Sequence, residues 1–230
     1  MSTNQDSRLK SISSTVSIAI CAIALFVSGC DINLDFTGIQ GSGVETTKSF
    51  DIDAFDQVRF SGSGEYNISC GEEQSVSVTI DDNLMEFVDL NVEDGKLKFN
   101  VTEQYTSGMG LKVDITIPKL KGVEVNGAGT ATIKNVSAEA FAIDVSGAST
   151  VVADGSANSL DLQASGACSL KLYELESKKC TVDMSGAGSA MVHVTEMLDA
   201  KISGVGSVKY KGEPEVKKDV SGIGSVSKMQ

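Results

Sequence analysis

A tetrapeptide built of small residues recurs six times in the second half of the chain, and it constrains the fold more than any other feature. The copies are Asn126-Gly-Ala-Gly129, Ser146-Gly-Ala-Ser149, Ser165-Gly-Ala-Cys168, Ser185-Gly-Ala-Gly188, Ser203-Gly-Val-Gly206 and Ser221-Gly-Ile-Gly224. Their first residues stand 20, 19, 20, 18 and 18 positions apart. One position before each copy come Val125, Val145, Ala164, Met184, Ile202 and Val220. Three before come Val123, Ile143, Leu162, Val182, Ala200 and Lys218, and five after come Ala131, Val151, Leu170, Ala190, Val208 and Val226. Apolar columns also stand five before and seven after the copies, and the exceptions, Lys121 beside the first copy and Lys218 and Lys228 beside the last, fall where a stack must be capped.

Apolar residues at every second position on both sides of a glycine turn read as strands with one buried face. A helical solenoid needs a period of 3.6 and does not fit. One strand-corner-strand unit cannot bury its apolar face alone, whereas stacked units can. Gly at the second position suits a corner that needs positive φ or close backbone approach. The expected fold class is therefore all-β, a parallel β-helix (β-solenoid) with 18–20-residue repeats over 119–230. The segment 49–118 is also strand-rich, and Ser61-Gly-Ser-Gly64 is an earlier copy of the corner, with Val58 and Phe60 before it and Tyr66 and Ile68 after. Asp94-Gly95 signals a hairpin turn. The run Asn83 to Leu90 reads as short helix or loop. This half is expected to stack on the regular repeats and to cap them.

The N-terminus carries a separate message. Arg8 and Lys10 precede an uncharged, mostly apolar run from Ile12 to Val27, the order of a signal peptide. The run ends at Val27-Ser28-Gly29-Cys30, which resembles the lipobox of bacterial lipoproteins. That resemblance implies cleavage after residue 29, lipidation of Cys30, and a mature protein held in the cell envelope by its acyl chains. Asp31 resembles the signal that retains lipoproteins in the inner membrane of enteric bacteria, a rule other phyla do not follow, so the leaflet stays open. Residues 30–48, with Gly38, Gly41, Ser42 and Gly43, read as lipidated Cys and flexible tether.

Composition narrows the partners. The net charge is −12, and the body left after residues 1–29 is more acidic still. Such a surface repels nucleic acid. Cys70, Cys168 and Cys180 remain besides Cys30, an odd set with no zinc spacing. They read as buried thiols, with a Cys168–Cys180 bridge as the alternative.

The run Phe55-Asp-Gln-Val-Arg-Phe-Ser-Gly-Ser-Gly-Glu-Tyr-Asn-Ile68 and the closing run from Val208 to Val226 resemble the head GIN domain family, labelled "putative auto-transporter adhesin". So do the repeated glycine turns between them. The resemblance covers about Phe50 to Val226, and it implies a β-helical domain on an envelope-anchored protein. It carries no catalytic or ligand residues to transfer.

The catalytic inventory is thin. His193 is the sole histidine, and it alternates with Val192 and Val194, so it is expected to point outward and be solvated. No cofactor is expected. The one surface with chemistry is acidic: Glu124, Asp144 and Asp183 stand two positions before the corner, and Asp161 stands four before. Paired carboxylates can bind a cation or hydrolyse glycosides, whereas a solvated strand face is the plainer reading. The expected function is non-enzymatic: binding or adhesion to a glycan, an envelope component or a protein. The alternatives are a polysaccharide-acting enzyme and a structural envelope component without ligand. Strand edges at the end of the repeats leave end-to-end association open.

Overall fold

A computed structural model describes residues 38–229. The expected signal peptide over residues 1–29 and the expected lipidation at Cys30 lie outside the described residues. Among those residues the protein is all-β, with no closed barrel. In chain order the strands are β1 (Ile39–Gln40), β2 (Glu45–Phe50), β3 (Gln57–Cys70) and β4 (Ser75–Asp81), then a 3-10 turn over Asp82–Phe87. They continue as β5 (Val88–Glu93), β6 (Lys96–Val101), β7 (Tyr105–Thr106), β8 (Lys112–Ile117), β9 (Gly122–Lys211), β10 (Glu215–Val220) and β11 (Ile223–Lys228).

The element β9 is unbroken β structure for 90 residues. Laid straight, at roughly 3.3 Å per residue, it would run about 300 Å. The glycines show how it returns on itself. A Cβ placed on Gly147 would lie 2.1 Å from the Gly127 carbonyl oxygen; on Gly166, 2.4 Å from that of Gly147; on Gly186, 2.5 Å from that of Gly166. Each corner thus rests on the corner of the preceding copy. The Ser146 hydroxyl donates to Asn126 Oδ1 at 2.8 Å, one copy back, and ties the corners side chain to side chain. The alternating residues beside the corners form one core: Val125, Val145, Ala164, Met184 and Ile202 are buried, as are Ala131, Val151, Leu170, Ala190 and Val208.

The Ser61 corner belongs to this stack. β3 pairs in parallel with the start of β9 from Gln57↔Gly122 to Ser69↔Lys134, and Ser61 lies beside Asn126. On its other edge β3 pairs in parallel with β6 and with β8. There the pattern changes. β4 runs antiparallel on β8, β2 antiparallel on β4, and β5 antiparallel on β6. The β5–β6 hairpin turns at Asp94 and Gly95, both at positive φ (52° and 73°). Phe60 and Tyr66 stack at 4.0 Å with Phe99 against both, so aromatic rings stand in columns that the later copies fill with aliphatic side chains and Met184.

At the other end, β10 and β11 pair with β9 in parallel, each residue 18 positions after its partner, as in Glu215↔Met197 and Ile223↔Val205. Among the described residues nothing pairs with their outer edges.

Two expectations are corrected. The flexible tether does not extend through residue 48. β1 pairs with β7 and β2 with β4, and Asp81, fully buried, accepts hydrogen bonds from the Gly43 N–H at 2.7 Å and from the Ser107 hydroxyl. A side chain on Gly41 would strike the Asp81 carboxylate at 2.6 Å, so glycines that look like linker residues are packing residues. Second, Asn83–Leu90 is neither one helix nor one loop: the 3-10 turn ends at Phe87 and β5 begins at Val88. Cys70, Cys168 and Cys180 are free thiols. Burial raises the Cys180 thiol to about 12, which leaves it protonated at physiological pH.

Candidate polar groove

Alternation sends every second residue of the stack outward, and stacking aligns those residues into rows. Two rows meet along one side of the corners. One holds Asn126, Ser146, Ser165 and Ser185, the first residues of four successive corners; the other holds Arg59, Glu124, Asp144, Gln163 and Asp183. Between them runs an open groove of about 480 Å³. Its floor is polar, because Ser, Asn, Gln and carboxylate groups line it and Ala164 is the one apolar residue among them.

The charges of the groove are mostly compensated. Glu124 forms ion pairs with Arg59 and Lys96. Burial pushes its carboxyl up, but the hydrogen bonds from Lys96 and Arg59 outweigh burial and hold it below the usual glutamate range. Asp183 lies 3.8 Å from Lys201. Asp144 has no ion-pair partner among the described residues, and burial, followed by the neighbouring Glu124 charge, raises its pKa. Asp161 lies outside the groove lining, close enough to add to the negative field at Asp144.

Of the four acids marked in the sequence, the structure therefore brings Glu124, Asp144 and Asp183 to one groove and leaves Asp161 beside it. No group of three or more metal-ligating side chains forms among the described residues. Sequence reasoning missed Arg59 and Lys96. Arg59 was findable, since it stands two positions before Ser61 as Glu124 stands before Asn126. Lys96 reaches Glu124 only because β6 lies on β3, a pairing no repeat announces.

His193 also departs from expectation. Its side chain is only 17% exposed and lies 3.9 Å from a Glu176 carboxylate oxygen. It is covered rather than solvated. A second polar groove of about 430 Å³ runs nearby, past Glu139, Asn158, Glu176 and Lys178. No helix among the described residues is long and apolar enough to cross a membrane.

Known proteins share this architecture. A crystal structure of a "putative adhesin" from Bacteroides fragilis is 21% identical; the match covers 84% of this chain and 100% of that one, with a TM-score of 0.69. A "putative lipid binding protein" from Parabacteroides distasonis is 23% identical over 84% of this chain and 99% of that one, with a TM-score of 0.51. At these identities the likeness is one of fold. No curated protein matches the chain. The family described as "Putative auto-transporter adhesin, head GIN domain" matches residues 54–214, most of the chain, from β3 to the end of β9, and the protein belongs to that family.

Proposed function

We propose that the chain is a non-enzymatic, envelope-anchored lipoprotein, lipidated at Cys30, whose body is a parallel β-helix with 18–20-residue repeats and serves as a binding face. The observation that carries the reading is the groove: four successive corners present the same polar chemistry in two parallel rows, a surface suited to an extended partner. The coil itself is supported by the glycine corners resting on one another and by the 18-residue register of β10 and β11 on β9. The non-enzymatic reading is supported by what the acids do. Glu124 is held by Arg59 and Lys96, and Asp183 lies beside Lys201, so they serve as ion-pair partners rather than as an opposed acid and base. Family membership agrees with an adhesive role.

The test is binding of the purified full chain to an array of glycans and envelope polymers, with product analysis on the same samples. Selective retention with intact ligand is expected. Cleavage products that vanish in Asp144→Ala or Asp183→Ala would establish an enzyme instead.

A further inference from the structure

We infer that the ligand of this groove is an uncharged, linear glycan lying along the stack with one sugar per rung. The inference rests on the reading that the groove binds, and it names what fits there. Four properties select the ligand.

The lining offers hydrogen-bond donors and acceptors in alternation, hydroxyls and amides in one row against carboxylates and the Gln163 amide in the other. With Ala164 as its one apolar residue, the groove gives no burial to a lipid chain. The chain's net charge of −12 and the carboxylates in the groove repel a polyanion. A polycation finds little uncompensated charge, because Glu124 and Asp183 already have basic partners, and Asp144 alone is left. A lone, partly shielded carboxylate is a strong acceptor for a hydroxyl donor.

Spacing then separates a glycan from a peptide. Rungs repeat at roughly 4.8 Å, whereas an extended peptide presents like-facing side chains about every 6.7 Å. Over the three steps from Glu124 to Asp183 that mismatch accumulates to about 6 Å. An extended pyranose chain advances by close to one rung per sugar, so each unit meets the same pair of rows. Asn126, Ser146, Ser165 and Ser185 on one side, and Glu124, Asp144, Gln163 and Asp183 on the other, then make four successive polar subsites.

Calorimetric titration of the full chain with cello-, laminari-, manno- and chito-oligosaccharides of one to eight units tests this, with an oligogalacturonate, a chitosan oligomer and an extended peptide as charged and peptidic controls. At least one uncharged series should bind more tightly with each added sugar up to about four and then level off. Asp144→Asn and Gln163→Ala should each weaken it roughly three- to tenfold, the effect of one lost hydrogen bond. Hydrogen exchange should show protection at residues 144–146 and 163–165. If a charged oligomer or the peptide protects those amides and no uncharged glycan does, the ligand class is wrong and the groove stands. If an uncharged glycan binds without the length dependence, the rung-by-rung fit is wrong. If no probe protects them, the groove reading fails with it.

Discussion

The two ends of the stack face the same difficulty and meet it differently. A stack of parallel strands leaves unpaired backbone at each end, a template for association with other chains. At the N-terminal end the parallel order gives way to antiparallel pairing: β6 and β8 lie on β3, and β5, β4 and β2 close over them. The entering segment, residues 39–50, forms a strap fastened by the buried Asp81. At the C-terminal end β10 and β11 are the last described strands, nothing among the described residues pairs with their outer edges, and charge stands in place of cover. Lys218 and Lys228 occupy columns that are apolar elsewhere, and both are exposed. Stacking another rung on them would bury the Lys218 ammonium and cover the Lys228–Glu213 ion pair, a cost that disfavours growth. The N-terminal end is thus closed by further paired strands, whereas the C-terminal end is protected by the cost of covering its charges.

The largest loss of stability is expected at the corners. Gly147 lies inside the stack at φ 127°, with no room for a Cβ against Gly127, whereas a Cβ on Gly62, at φ 108°, would meet nothing within 4 Å. Gly147→Ala should cost on the order of 4 kcal/mol or more, and Gly62→Ala about 1–2 kcal/mol from backbone strain alone. Urea denaturation of both variants checks this; equal losses would mean that corner contact contributes nothing. Next comes burial. Leu172→Ala, in the middle of the stack, should cost about 2–5 kcal/mol, while Val226→Ala, only half-buried on the last rung, should cost about 1 kcal/mol or less.

The strap gives a pH-dependent test. Hydrogen bonds from Ser107 and from the Gly43 N–H hold the Asp81 carboxyl below the usual aspartate range. Its folded pKa is thus below its unfolded value of about 3.9. The stabilisation is complete above that value and is lost as pH falls through the folded pKa. Asp81→Asn should cost about 1–3 kcal/mol at pH 7 and should lose less stability than the parent between neutral pH and acid. Exchange of the amides of residues 41–44 should rise in the variant. The smallest effect on stability belongs to the open end. Lys218→Leu with Lys228→Val should change stability by under about 0.5 kcal/mol yet produce concentration-dependent association in sedimentation, where the parent stays monomeric. A parent that associates equally well would remove the protective role of these lysines.

Much of the stack was legible because its information is periodic. Val125, Val145, Ala164 and their columns state which face is buried, and the glycines state where the chain turns. The rest depends on pairings without a repeat. Asp81 and Gly43 are 38 residues apart, and each alone looks like a solvated loop residue. Lys96 reaches Glu124 across β3 from a strand, β6, that carries no corner. His193 shows the limit of alternation: pointing away from the core is not the same as being exposed, because neighbouring rungs crowd the same face. The groove was half visible, as a row of acids; its companion row of Ser and Asn side chains was hidden in residues that read as turn formers.

In the proposed β-helix each copy of the repeat is one coil. Two deletions compared by circular dichroism and urea unfolding test it most directly. Removal of residues 165–184 takes out one whole repeat and rejoins Ala164 to Ser185, which keeps every column in register; removal of 165–174 takes out half a coil and turns the following rungs out of register. The first variant should keep a β-sheet spectrum and a single cooperative transition, and the second should lose the cooperative transition. Two variants that fold equally well, or a half-coil deletion that folds better, would contradict the assignment of one coil per repeat.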